Sequence, residues 1–513
     1  MASRPDIVLL VLDTQRVDRL SCYGCSPETS PYIDALAADA TIFRHAASPA
    51  SWTVPAHASM FTGHYPSLHH TVQSYSVLPK SLPTLAERLR DSGYFTAAFC
   101  NNPLVGVVNN GLRRGFLSFL NYSGWLTSRP NQVGVGSSLI DRYRQWFKGL
   151  LTAIVCRIQD AFARSEFLLE LSFSPLMVPF WQTALSFKGN TAKSLNDAAL
   201  LLTQRKDVAE DQPIFSFINL MGTHMPYDPP RRFAAKFAPH VRDNKSAQRY
   251  LHHFNSDIVG WYMPLARALD EEQKVTLDGM YNSEVAYQDE LVGAFLEKLR
   301  ASGRLDRTLL VVCADHGDHL GEKQFIGHSL SLYNELIHVP LLVRDPGGDF
   351  PRGTTVERFV STRRVYHTML EAAGLADESE RKLTLAQSVA SDADVGTAFS
   401  EGIPPQTIIN VLRRREPQLL SERRIDQTRR AVWSEQHKLI QTGDDNLELF
   451  SVVDDPAEKV NLRDILPEKV EVLRESLQEF VSHTVVTPPD AERAVGYDDP
   501  EVRRRLRDLG YLE

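Results

Sequence analysis

Short apolar runs, each bounded by polar or turn residues, recur along the chain. The runs are DIVLLVL (6–12), FTAAF (95–99), PIFSFINL (213–220), TLLVVCA (308–314) and VPLLVR (339–344). Runs of this length, without a polar residue at every second position, are typical of strands that are covered on both faces. The pattern therefore predicts buried parallel strands at these positions.

Segments with helical spacing of apolar residues lie between these runs. They cover residues 82–93, 196–207 and 284–303, and the first of them ends at Gly93, a residue that commonly stops a helix. Strands that alternate with helices are typical of a sheet whose faces are covered by the helices. We therefore expect an α/β fold with a mostly parallel sheet.

The pattern changes in the last quarter of the chain. Residues 429–443 and 446–455 are predicted to form two strands joined by a turn, and residues 467–483 an amphipathic helix. Because 513 residues are too many for one hydrophobic core, we expect an α/β domain over residues 1–375 and a smaller α+β domain over residues 376–513.

Residues 140–190 are unusually rich in aromatic and aliphatic side chains. Charged residues such as Arg157, Asp160 and Arg164 interrupt the segment, so it does not resemble a membrane span. We predict an apolar insertion that packs against the first domain. A lid over the functional site and a segment that lies at a membrane interface are the alternatives.

The composition is that of an ordinary globular protein, with 43% hydrophobic and 23% charged residues. The net charge of −8 argues against a general nucleic-acid-binding protein. The N-terminal segment does not resemble a signal peptide, and no apolar stretch is long enough to span a membrane. These features predict a cytoplasmic protein with no transmembrane segment. Five cysteines are too few for a disulfide scaffold.

Three of the predicted strands run into residues that bind metals or transfer protons. Asp13 follows the first strand, His224 follows the third, and Asp315 and His316 follow the fourth. Ligands of open α/β sheets bind at the carboxyl ends of the strands. We therefore expect these side chains to meet at one edge of the sheet, although they are far apart in sequence.

The stretch SWTVPAHASM (51–60) has the features of a turn that opens a helix and presents Thr53. Pro55 suits a first helical turn, and an alcohol becomes a nucleophile when a base or a metal activates it. Asp13, Thr53, Asp315 and His316 would supply three oxygens and one nitrogen to one divalent metal ion. Such a set favours zinc or manganese, with calcium or magnesium possible. The alternative is that Thr53 is only a helix N-cap.

Ordered blocks of the sequence resemble the sulfatase family of the alkaline phosphatase superfamily. The blocks include LLVLDTQRVDRLSCYG, SWTVPAHASMFTGHYP, INLMGTHMPYDPP, VVCADHGDHLGEKQFIGHSLSLYNELIHVPLLVR and RRAVWSEQHKLIQTGDDNLELF. The resemblance covers nearly the whole chain, except residues 140–190 and 376–428. It implies an alkaline-phosphatase-like fold and a metal-dependent hydrolase of sulfate or phosphate esters.

The resemblance also implies roles for individual residues of the metal site. Asp13, Asp315 and His316 fall at metal-binding positions of the family, and Thr53 falls at the position of the catalytic nucleophile. Where many members have a second metal-binding aspartate, this chain has Thr14.

Three histidines fall at positions that bind substrate in the family. His224 matches the histidine that contacts the transferred group or its leaving oxygen. His57 stands in place of an arginine, and His328 in place of a lysine. The resemblance thus implies that His57, His224 and His328 bind substrate, and that His224 and His328 act with Thr53 in catalysis.

The nucleophile position departs from that of true sulfatases, which oxidise Cys or Ser to formylglycine, an aldehyde. Oxidation of Thr53 would give a ketone instead, and threonine nucleophiles are characteristic of related phosphodiesterases. We therefore expect a phosphate mono- or diesterase acting on a small-molecule or lipid-like anionic ester. The alternatives are an arylsulfatase-like sulfuric ester hydrolase with the same site, and a degenerate member that binds anionic esters without catalysis.

Overall fold

A nine-stranded sheet forms the centre of the protein. The computed structural model describes residues 4–123, 188–257, 259–387 and 391–484. The strands of the sheet are β1 (Asp6–Leu12), β2 (Thr41–Ala47), β3 (Phe95–Cys100), β4 (Ser118–Asn121), β5 (Ile214–Leu220), β6 (Thr308–Cys313), β9 (His338–Val339), β10 (Leu341–Arg344) and β11 (Thr354–Ser361). Eight of them follow the order β11-β2-β10-β6-β1-β5-β3-β4, and β9 pairs with β2. Between β6 and β9, β7 (His319–Leu320) and β8 (Ile326–Gly327) form a small antiparallel pair.

The sheet is mostly parallel, as predicted. Strand β1 pairs in parallel with β5 and β6, and β3 pairs in parallel with β4 and β5. The prediction of a parallel strand at residues 339–344 is wrong, because β10 is antiparallel to both β6 and β2. A parallel strand needs a crossover that returns the chain to the starting edge. Here β10 enters the sheet where β6 leaves it, with Leu341 opposite Cys313.

Helices cover both faces of this sheet. Those of six residues or more in the described ranges are Pro31–Ala37, Thr53–Thr62, Leu85–Asp91, Thr191–Gln204, Arg231–Phe237, Lys245–Ser256, Glu271–Ala301, Val365–Ala372, Gln406–Arg415, Pro417–Glu422 and Pro467–Thr484. Four-residue helices lie at Pro66–His69, Pro103–Gly106, Asn334–Ile337 and Glu378–Arg381. The predicted helix at 284–303 begins earlier, at Glu271, where Asp270 and Gln273 form a capping box.

Alternate residues of each central strand enter two different cores. In β1, Val8, Leu10 and Leu12 pack in the core that contains the helix Glu271–Ala301. The alternate residues of the strand enter the opposite core, which contains the helix Thr53–Thr62. Burial on both faces explains why these strands are continuous apolar runs.

A smaller antiparallel sheet follows in the C-terminal part of the chain. It contains β12 (Ala398–Gly402), β13 (Arg429–Ser434), β14 (His437–Thr442) and β15 (Asn446–Ser451), and the helix Pro467–Thr484 packs on it. Residues 429–443, predicted as a single strand, form a hairpin instead. The chain turns at Glu435, which has a φ of 55°, and no glycine marks this turn in the sequence.

Two expectations about the whole chain remain predictions. The domain boundary near residue 375 is one of them. The other is the apolar insertion at 140–190, which lies outside the described residues except for 188–190. Within the ranges that the structure describes, no helix is long and apolar enough to cross a membrane.

Candidate functional site

The residues predicted to bind a metal meet at the carboxyl ends of the central strands. Asp13 follows β1, Asp315 and His316 follow β6, and Thr53 begins a helix that follows β2. Asp13, Asp315 and His316 are fully buried, and Thr53 is 2% exposed. Residues that lie far apart in the sequence therefore share one buried site.

Thr53 is placed by the turn before its helix. Trp52 has an extended backbone, with φ −163° and ψ 167°, and it occupies the N-cap, so Thr53 is the first helical residue rather than the cap. The Thr53 hydroxyl Oγ1 lies 3.3 Å from His316 Nε2 and accepts a 3.4 Å hydrogen bond from Asn102 Nδ2. The hydroxyl is thus held among the polar residues at the strand ends.

Asp13 and Asp315 each have one carboxylate oxygen that accepts hydrogen bonds and one that has no hydrogen-bond partner. Asp13 Oδ2 accepts hydrogen bonds from Asn102 at 2.6 Å and Asn219 at 3.4 Å. Asp315 Oδ1 accepts hydrogen bonds from the backbone N–H groups of His316 at 2.9 Å and Thr14 at 3.3 Å. The buried atoms Asp13 Oδ1 and Asp315 Oδ2 have no hydrogen-bond partner. They lie 3.9 Å and 3.4 Å from His316 Nε2.

The electrostatics of these carboxylates fit a cation site. Burial raises the pKa of Asp13, and the nearby Asp315 carboxylate raises it further. Burial also raises the pKa of Asp315. Buried carboxylates are costly unless a positive charge compensates them. Together with His316, these two residues form a group whose ligand atoms lie within 4.8 Å of one another.

His57 lies behind the nucleophile and is fully buried. Its Nδ1 is 2.9 Å from the Thr53 backbone oxygen, and its Nε2 is 3.3 Å from Asn219 Nδ2. The ring packs edge-to-face against Phe61 and Phe217, and burial lowers its pKa to about 3. Both ring nitrogens have protein neighbours, so these contacts suit a neutral residue that holds Thr53. The predicted contact with substrate remains a prediction.

His224, His328 and His316 form a row of imidazoles beside Thr53. The ring centres are 5.3 Å apart between His224 and His328, and 4.6 Å apart between His328 and His316. Burial lowers the pKa of His224 to about 3 and that of His328 well below its usual value. His328 Nδ1 is 2.7 Å from Asp318 Oδ1, and burial raises the pKa of Asp318 to about 7.

Sequence reasoning missed three polar residues of this site, namely Asn102, Asn219 and Asp318. Asn102 follows β3, Asn219 lies in β5, and Asp318 is in the same loop as His316. The rule that found Asp13 would have found these residues if amides and the whole loop after β6 had been included. Asn102 belongs to the CNNPL segment, which departs from the usual sequence of the resembled family.

Comparisons with known proteins agree with this architecture. The Sulfatase family model matches residues 5–375. Choline-sulfatase of Rhizobium meliloti is 22% identical over 483 residues, which cover 90% of this chain and 82% of that protein. The sulfatase YidJ of Escherichia coli is 20% identical over 364 residues. This match covers 67% of the chain but only 64% of the length of that relative.

The fold is also shared with solved structures. Phosphonate monoester hydrolase of Agrobacterium radiobacter superimposes with a TM-score of 0.65 at 20% identity, covering 94% of this chain and 96% of that chain. At this identity the likeness shows the fold. Because the family model matches most of the sequence, the chain belongs to the sulfatase family of the alkaline phosphatase superfamily, which comprises hydrolases of sulfuric and phosphoric esters.

Proposed function

We propose that the chain is a metal-dependent hydrolase of phosphate mono- or diesters, in which Thr53 is the nucleophile. The observation that carries this proposal is the place of the Thr53 hydroxyl. It lies at the start of a buried helix, 3.3 Å from His316 Nε2, beside two carboxylates with unpartnered oxygens. An alcohol attacks an ester when its alkoxide is stabilised, and the surrounding groups suit that purpose.

Asp13, Thr53, Asp315 and His316 would hold the divalent metal ion that sulfatase-family enzymes use. The unpartnered oxygens of Asp13 and Asp315 fit a cation, since no protein donor satisfies them. Three oxygen donors and one nitrogen donor favour zinc or manganese. When bound, the ion would supply positive charge that stabilises the Thr53 alkoxide and the charge developing on the transferred group.

The chain's own groups hold the nucleophile and receive the substrate. Free N–H groups at the start of the Thr53 helix attract the anionic ester. Asn102 donates to both Asp13 and Thr53, and His57 supports the Thr53 backbone. His224 and His328 bind ester oxygens, and one of them protonates the leaving oxygen. Water then hydrolyses the covalent Thr53 ester.

Hydrolysis of sulfate esters by the same residues is the second candidate. The names of two relatives, choline-sulfatase and the sulfatase YidJ, favour it. The methyl group on the Thr53 β-carbon argues against it, because this side chain does not yield the aldehyde. A non-catalytic binder is the third candidate, and it is disfavoured because every position of the proposed ligand set is filled.

The choice between phosphate and sulfate is tested with matched esters of one alcohol. Purified protein loaded with zinc or manganese is expected to show a higher kcat/KM for 4-nitrophenyl phosphate or its phosphodiester than for 4-nitrophenyl sulfate. Positioning and charge stabilisation by a fixed alkoxide suit phosphoryl centres. Mass spectrometry of the peptide that contains Thr53 is expected to show an unmodified side chain. A preference for the sulfate ester would contradict the phosphoester assignment but leave Thr53 as nucleophile.

Asn102→Asp is expected to lower kcat/KM by about 10²–10³-fold, the usual effect of removing a donor that stabilises charge. The substitution keeps the oxygen that accepts the Leu104 N–H at 2.8 Å. It replaces the amide that donates to Asp13 with a second negative charge. Asn101→Asp is the matched control, because Asn101 Nδ2 donates to Thr191 at 3.2 Å instead. Steady-state kinetics measures kcat/KM for both variants. Equal losses of kcat/KM in Asn102→Asp and Asn101→Asp would contradict the proposed role of Asn102.

A further inference from the structure

The two candidate proton donors of the site differ in the group that each one contacts through Nδ1. His328 Nδ1 lies 2.7 Å from the Asp318 carboxylate oxygen Oδ1. His224 Nδ1 lies 2.6 Å from the backbone oxygen of Met225. A carboxylate on Nδ1 fixes the tautomer and the orientation of an imidazole more strongly than a backbone carbonyl does, because the carbonyl carries no full charge.

We propose that Asp318 is a positioning residue that makes His328, rather than His224, the proton donor to the leaving oxygen. This inference rests on the proposed ester hydrolysis and specifies one step of it. Asp318 is fully buried. Among the described residues, the histidine, lysine or arginine side chain that lies within ion-pair distance of its carboxylate is that of His328.

The surroundings hold His328 in one orientation next to the nucleophile. Its ring centre is 4.6 Å from that of His316, whose Nε2 is 3.3 Å from Thr53 Oγ1. The rings of His224 and Tyr262 pack against it with centre distances of 5.3 Å and 5.5 Å. With Nδ1 engaged by Asp318, Nε2 is the atom left to serve the substrate.

The loop that carries Asp318 is itself anchored. Arg16 Nη1 donates a 3.1 Å hydrogen bond to the Asp318 backbone oxygen. The same guanidinium pairs with Asp18 at 2.8 Å and Glu322 at 3.0 Å. Arg16 therefore fixes the backbone and leaves the Asp318 carboxylate to His328.

The proposed proton transfer from His328 needs no reactant other than the ester and water. Before attack, His328 Nε2 carries a proton, and a second proton is shared between Nδ1 and Asp318 Oδ1. Thr53 reacts as its alkoxide in both halves of the reaction, because its hydroxyl proton passes to solvent before the ester binds. As the Thr53 oxygen–phosphorus bond forms, the bond from phosphorus to the leaving oxygen breaks, and that oxygen takes the Nε2 proton. The shared proton stays on Nδ1 opposite an ionised Asp318. In the second half, water loses a proton to Nε2 and attacks phosphorus, and the Thr53 oxygen leaves.

The test is a series of aryl and alkyl phosphate esters with leaving groups of increasing pKa. Asp318→Asn is expected to lose at least about 100-fold more kcat/KM on phenyl or alkyl esters than on the 2,4-dinitrophenyl ester, because good leaving groups depart without a proton. In His328→Gln, kcat/KM is expected to fall with the pKa of the leaving group as steeply as in Asp318→Asn. In the double variant it is expected to fall no more steeply than in either single variant. Asp318→Glu, which keeps a carboxylate, is expected to restore part of the loss. Asp18→Asn, which removes a partner of Arg16, is the control that keeps the wild-type dependence.

Four outcomes would overturn the inference. A loss that is equal for all leaving groups in both Asp318→Asn and His328→Gln would make the pair merely structural. If kcat/KM depended more steeply on the pKa of the leaving group in His224→Gln alone, His224 would be the proton donor to the leaving oxygen. Loss of bound metal in Asp318→Asn would make Asp318 a ligand, in the group that it forms with His316 and His328. Asp318 variants that do not fold, together with an unchanged dependence in His328→Gln, would also reject it. Absence of ester hydrolysis in the wild-type protein would instead reject the proposed function.

Discussion

Replacing Thr53 with alanine is expected to lower kcat/KM for a phosphate ester by at least about 10⁴-fold, as the loss of a covalent nucleophile does. The substitution removes the hydroxyl that faces His316 and Asn102. It leaves the helix start intact, because Trp52 and not Thr53 is the N-cap. Thr53→Ser retains the hydroxyl and is expected to keep part of the activity. Single-turnover kinetics and steady-state kinetics on one ester measure both variants.

A threonine at the other end of the same helix provides the control. Thr62 is also buried, and its hydroxyl donates to the Ala58 backbone oxygen at 2.7 Å. Thr62→Ala removes a similar hydroxyl without touching the site, and its activity is expected to remain within a few-fold of wild type. Full activity in Thr53→Ala would contradict the proposed nucleophile. Equal losses in Thr53→Ala and Thr62→Ala would attribute the effect to the helix rather than to the reaction.

The sequence predicted the central sheet well because its strands are buried on both faces. Each continuous apolar run appears as a strand within one or two residues of its predicted bounds. The direction of β10 was not predictable in the same way, because apolarity carries no information about direction. Direction depends on whether the chain crosses back over the sheet, and the loop between β6 and β10 stays at the edge that carries Asp315 and His316.

The residues of the candidate site were predicted from strand ends, and this rule has a physical limit. It found Asp13, Asp315 and His316 because ionisable residues after apolar strands are conspicuous. Asn102 has no charge, so a rule limited to ionisable residues passes over it, although it too follows a strand and donates to Thr53. A short motif also does not show which side of a helix faces the substrate. His57, four residues after Thr53, packs behind the nucleophile among aromatic rings.

Replacing Asp315 with alanine is expected to abolish binding of the divalent ion, and activity with it. Asp315 Oδ2 is one of the buried oxygens that no protein donor satisfies, and it lies 3.4 Å from His316 Nε2. Elemental analysis is expected to find one ion per wild-type chain and none in the variant. Asp349→Ala is the control. Asp349 is exposed and lies in the loop between β10 and β11, so this variant is expected to keep the full metal content. Full metal occupancy in Asp315→Ala would contradict the assigned ligand set.

Thermal unfolding separates loss of the ion from loss of the fold. An ion that binds only the folded protein stabilises it by about 2.7 kcal/mol when its free concentration is 100 times Kd. A chelator is therefore expected to lower the Tm of the wild-type protein and to leave that of Asp315→Ala unchanged. The metal-free wild type also contains two buried carboxylates, Asp13 and Asp315, without a compensating cation, and each is costly in that state. The metal-free variant contains only one of them, but it also leaves the backbone N–H groups of His316 and Thr14 without the acceptor Asp315 Oδ1. These two effects oppose each other, so the variant is expected to unfold close to the temperature of the chelated wild type. An Asp315→Ala protein that unfolds well below the chelated wild type would show that Asp315 supports the fold rather than the ion.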